Sequence, residues 1–152
     1  MKIYSKYETD EKAEIEGTWI DLGDGAKIKI ARLQNPRHRE VLENLQKPFA
    51  LNLRAGVKIP EADARRTGDE AIAKTILLDW QGIEDNQGNP IPYTEANAFK
   101  VLTDLKEFRE VVVNLAFAHD TFRKEVLEQA AKNSAPPSAG GSSNKSTNRS
   151  ST

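Results

Sequence analysis

The chain has 152 residues, a net charge of −1 and no cysteine. Its length suits one domain of ordinary size, and the near-balanced charge implies no general pull toward nucleic acid or anionic lipid. Without cysteine there is no disulfide framework and no thiolate chemistry, and no apolar run reaches the length of a membrane span.

Residues 1–14 form a polar, flexible lead, with no apolar stretch of the kind a signal peptide carries. A single globular domain spans 15–133. It opens on a hairpin, GTWIDLGDGAKIKIARL. A two-residue loop at Asp24-Gly25 would set Ile20 opposite Lys29. A three-residue loop, Gly23-Asp24-Gly25, sets Ile20 opposite Ile28 and Thr18 opposite Ile30, which makes one face apolar and fixes the register. Gly25 then takes the left-handed conformation that glycine tolerates best.

NPRHREVLENLQKPF reads as a helix capped by Asn35 with Pro36 in its first turn. Pro48 stops it near Lys47. Phe49 to Pro60 is a connector. After Pro60, Ala71, Ile72, Thr75, Ile76, Asp79 and Trp80 recur at helical spacing. Gly68 either interrupts this stretch, with Asp69 capping a second helix, or lies within one continuous helix.

The next segment, GIEDNQGNPIPY, is dense in acids, amides, Gly and Pro. An EF-hand loop aligned on Gly88 would lack its first ligand and its final Glu. The stretch therefore reads as a turn or small hairpin joining helices. Thr94 caps a short helix with Ala98, Phe99 and Leu102. Asp104 and Glu107 form a capping-box pair for a long last helix, whose stripe runs through Phe108, Val111, Val112, Leu115, Ala118, Phe122 and Val126. Residues 134–152 are rich in Ser, Gly and Asn, hold no acid and no large apolar side chain, and are expected to be a disordered tail.

The fold class is thus α+β, mainly α: an N-terminal β-hairpin, a small helical domain with a long C-terminal helix, and a tail. Chemistry is sparse. His119-Asp120 would need further ligands to hold a metal, and the one other histidine is His38. Basic residues in the middle of the chain are broken up by acids. No catalytic, cofactor-binding or metal-binding residue is assigned, and the chain is read as no enzyme. VVVNLAFA, residues 111–118, is apolar on nearly all sides, which calls for burial all round or for a surface that takes another chain's apolar segment. Trp80 and Phe99 would lie along the same groove.

The order of these motifs resembles the tail assembly chaperone family of long-tailed siphophages. The likeness rests on the Trp80-Gln81-Gly82 helix end, the turn holding Asp85, Gly88, Pro92 and Tyr93, the short helix, the long last helix and its Lys132-Asn133 ending. A looser likeness reaches back to Gly17. The resemblance implies a non-enzymatic chaperone that keeps the phage tape measure protein soluble and helps recruit tail tube subunits. It would act in the cytoplasm of the infected bacterial host and be absent from the mature virion. Partners are then the tape measure and tail tube proteins, with no nucleic acid, no membrane and no cofactor, and with self-association left open. Trp80, Phe99, Phe108, Val112, Leu115 and Phe122 would take part in binding, although each also suits a core. Family members are often made in two forms by ribosomal frameshifting, which Ala131-Lys132-Asn133 permits. A minor structural tail protein and a small regulatory or nucleic-acid-binding protein are the alternatives.

Overall fold

The hairpin forms in the expected register. β1 (Thr18–Gly23) and β2 (Ala26–Ile30) pair antiparallel with Ile20 opposite Ile28 and Thr18 opposite Ile30. The loop differs in detail: Asp24 and Gly25 form a two-residue turn, both with positive φ. A bulge at Leu22 takes up the extra residue. The bulge reconciles the tight turn with the apolar register. The structure, a computed structural model, describes residues 1–133. The tail expected at 134–152 lies outside the described residues.

Ahead of the hairpin, the polar lead folds into two short helices, α1 (Ile3–Tyr7) and α2 (Glu11–Glu16). The Asp10 carboxylate caps α2 by accepting from the Ala13 N–H. After the hairpin, α3 (Pro36–Gln46) begins as the sequence dictates. The Asn35 side chain accepts from the N–H groups of Arg37 and His38, which would otherwise lack partners. Pro48 falls in a 3-10 turn, Lys47–Phe49, and the connector holds a short helix, α4 (Ala50–Arg54).

α5 (Glu61–Thr75) runs without interruption through Gly68. It stops earlier than its periodicity suggests. Leu77–Gln81, read as the helix's end, is a strand, β3, antiparallel to β2 with Trp80 opposite Ile28 and Leu77 opposite Ile30. The free edge of β2 needs hydrogen-bond partners, and this five-residue stretch supplies them. Over so short a run, spacing alone does not separate helix from buried strand. Among the described residues the sheet has three strands in the order β1-β2-β3.

Thr94 caps α6 (Glu95–Asp104) as expected, accepting from the Asn97 N–H at 3.0 Å. α7 (Lys106–Phe117) follows at once, without the predicted capping box. Leu105 is its N-cap, and Asp104 instead closes α6, paired with Lys100.

The long last helix is also corrected. It breaks at Ala118, passes through a 3-10 turn, His119–Phe122, and resumes as α8 (Lys124–Asn133). At the break, the Phe122 carbonyl accepts from the Asp10 N–H and the Lys124 N–H donates to the Glu8 carbonyl, both at 2.9 Å. A continuous helix would spend those groups internally and leave the Asp10 N–H and the Glu8 carbonyl without these partners.

The core lies between one face of the sheet and helices α5, α6 and α7. Ile28, Ile30, Ile72, Ile76, Leu77, Leu102, Val112 and Phe122 meet there. Burial of this kind contributes about 25 cal/mol per Å² of apolar surface.

Candidate functional site

The sequence singled out the turn after β3. Ile91 N–H donates to the Ile83 carbonyl and Asp85 N–H to the Asn89 carbonyl, so the segment is a miniature hairpin. It joins a strand to a helix. The Asp85 carboxylate accepts from the backbone N–H groups of Gln87 and Asn89 at 2.9 Å. These bonds, the one from Asn89 foremost, hold its carboxyl below the usual carboxylate range. The oxygens a cation would seek are thus engaged by the loop's own backbone. Gly88 has φ +82, as a turn glycine requires.

Trp80 and Tyr93 fasten this hairpin to the sheet. Trp80 Nε1–H donates to the Ile91 carbonyl and the Tyr93 hydroxyl to the Leu77 carbonyl, both at 2.7 Å. The two rings meet edge to face at 5.3 Å, a favoured aromatic geometry. Burial, with Glu95 and Asp79 nearby, raises the Tyr93 phenol above its ordinary value.

The histidines do not come together. His38 is buried on α3, where Nδ1 accepts from the Gln34 N–H. Burial lowers its pKa. His119 contacts the Tyr7 carbonyl through Nε2. Among the described residues no three His, Asp or Glu side chains cluster at metal-binding distance.

One charged constellation was missed in the sequence. Asp69 on α5 is fully buried and accepts from Arg109 of α7, with Arg65 Nε and Thr103 Oγ1 each at 3.4 Å. It ties together the three helices that roof the sheet. A Cβ at Gly68 would meet the Arg109 guanidinium at 3.6 Å, an ordinary contact, so the glycine gave no sequence signal of the network. The arrangement is a buried ion-pair network, and none of its four side chains lines the open grooves found beside α1, α6 or α8.

The six side chains expected to bind a partner divide in two. Trp80, Val112 and Phe122 are buried in the core and offer no surface in this conformation. Phe99, Phe108 and Leu115 are half-buried at its margin. Phe99 lies in an open groove of about 550 Å³ between α5 and α6, with Ala73, Ala96, Arg66, Glu70 and Glu95. Trp80 is no part of that groove. On α7, Phe108, Val111 and Leu115 follow at helical spacing along one face, and Val111 is 42% exposed. The apolar run is therefore not buried all round: Phe117 is 74% exposed.

The elements from just after β2 to the end of α8 coincide with a family model described as YdaY prophage protein, which matches residues 33–133. The chain belongs to that family. It is therefore a phage-related protein. The YdaY match takes in α3 through α8 and β3, and thus Phe99, Phe108 and Leu115, while β1 and β2 lie before it. No curated protein and no solved structure matches the chain.

Proposed function

We propose that this YdaY-family protein is a non-enzymatic phage tail assembly chaperone, which keeps the tape measure protein soluble and helps recruit tail tube subunits in the cytoplasm of the host. The observation that carries the reading is the half-exposed stripe of Phe108, Val111 and Leu115 on α7. A long helical protein made before its partners exposes apolar stripes that aggregate. A short apolar helix face on a small, well-charged carrier covers such a stripe by helix packing and releases it when a larger interface competes. Membership of a prophage family supports the setting; the choice of partner rests on the resemblance of the motif order alone.

Co-expression with the tape measure protein tests it. The chain should raise the soluble fraction of that partner and co-purify with it. Phe108→Ser with Leu115→Ser should abolish both effects. Val111→Asp, at an exposed position that leaves the core intact, should weaken them while the melting temperature holds. No change in the partner's solubility would overturn the reading. Recovery of the chain from purified virions would make it a structural tail protein instead.

A further inference from the structure

Two surface patches of opposite character remain after the core and the α7 stripe are accounted for. The first is the arm around α4. From Asn44 to Pro60 the chain carries Lys47, Arg54 and Lys58 and no acid. Leu51, Leu53 and Val57 are exposed at 76%, 52% and 55%. Among the described residues none of the three cations takes part in an ion pair. α4 packs chiefly on the turn that precedes it. The second patch is an open groove of about 790 Å³ beside α1 and the start of α2. Exposed Ile3, Tyr4 and Tyr7 line it together with Glu8, Asp10 and Glu11, and Lys124 is the one cation there.

We propose that the α4 arm of one copy docks in the α1–α2 groove of a second copy. The arm brings leucines, a valine and unpaired cations; the groove brings aromatic rings and three carboxylates against one cation, with Glu8 paired to Lys124, Asp10 capping α2 and Glu11 in no ion pair among the described residues. Both patches hold exposed large apolar side chains, and complementary charge sets which patch meets which. An anionic lipid surface would take the same basic, apolar arm, but it would leave the acidic, aromatic groove unused. A second copy uses both. Because arm and groove are different patches, the contact is heterologous: each bound copy still offers one free arm and one free groove, so assembly continues until it closes or runs on. This inference is independent of the chaperone reading, since its test contains no phage partner.

Sedimentation velocity on the full chain, across a concentration and salt series, provides the test. The wild type should show a weight-average mass above the monomer that grows with concentration and shrinks with added salt. Arg54→Glu with Lys58→Glu, and separately Glu8→Lys with Glu11→Lys, should each raise the dissociation constant about tenfold or more. Circular dichroism would confirm that both stay folded. An equimolar mixture of the two variants should regain mass, because the unaltered arm of one meets the unaltered groove of the other. A wild type that stays monomeric at every concentration would overturn the proposal, as would association that both variants leave unchanged. A monomer that binds phosphatidylserine vesicles through the arm would also overturn it and assign the arm to a lipid.

Discussion

Asp69 and Arg109, forty residues apart, form an ion pair in which the carboxylate is fully enclosed and the guanidinium is 26% exposed. The pair clamps α5 to α7. A buried pair of this kind contributes little net stability over apolar groups of the same shape, yet removing one partner strands a charge. Arg109→Met should therefore destabilise the fold by about 3 kcal/mol, the lower end because Arg65 remains 3.4 Å from the carboxylate. Asp69→Leu combined with Arg109→Met should recover most of that loss. Urea denaturation of the single and double variants measures the difference, and additive losses would show that the two residues do not act as a pair.

Two glycines with nearly the same φ should respond differently to alanine. Gly82 (φ +72) faces the backbone of the hairpin turn, where an added Cβ would run into the carbonyl of Gly25 and lie 3.1 Å from Ala26 Cα. Gly88 (φ +82) faces open space. Gly88→Ala should cost only the left-handed backbone penalty, about 1–2 kcal/mol. Gly82→Ala adds a clash with backbone that cannot swing aside, for a total of about 3 kcal/mol or more. Thermal melts of the two variants separate the cases. Equal losses would mean that Gly82 does not approach the β1–β2 turn.

These residues also show what the sequence made legible. Asn35 before Pro36, Thr94 before the short helix, and the alternation that sets Ile20 opposite Ile28 are local signals, and each is realised. Leu77–Gln81 and the break at Ala118 are different in kind. Each is decided by a hydrogen-bonding partner far along the chain, the β2 edge in one case and Glu8–Asp10 in the other. Periodicity over a short window carries no information about such partners. The same limit applied to the candidate surface. A side chain on an apolar stripe is a core residue or a binding residue according to what packs over it. Phe122 is enclosed by the returning chain, whereas Phe108 and Leu115 on the same stripe stay half-open.

His38 should give the stability a distinct pH dependence. Its imidazole is buried and accepts a hydrogen bond from the Gln34 N–H, so the folded state favours the neutral ring and its pKa is lowered from 6.5. Below that unfolded value the unfolded chain binds the extra proton first. Stability is therefore full above about pH 7, falls as pH drops through 6.5, and levels off once the folded ring is also protonated. Asp85 and Glu125, whose pKa values are lowered by their hydrogen bonds, act in a more acidic range. Chemical denaturation from pH 8 to pH 5 should show the decline in wild type and a flatter profile in His38→Gln. Parallel profiles would remove His38 as the cause.

The break after α7 makes a prediction about the amino-terminal helices. Phe122 is fully buried, and its carbonyl accepts from Asp10 while Lys124 donates to Glu8. Its side chain thus fixes the very backbone to which α1 and α2 attach. Phe122→Ala should cost about 3–5 kcal/mol by loss of transfer energy and creation of a cavity. The loss should not be spread evenly, because α1 and α2 bury no residue fully, and besides the Arg32–Glu14 contacts this junction is a main tie of theirs to the rest of the chain. In hydrogen exchange the Asp10 and Lys124 amides should therefore open well before those of β2 and α5 in the variant, and with the core in wild type. Uniform acceleration at all amides would instead mean that the amino-terminal helices and the core unfold as one unit, with Phe122 serving the core alone.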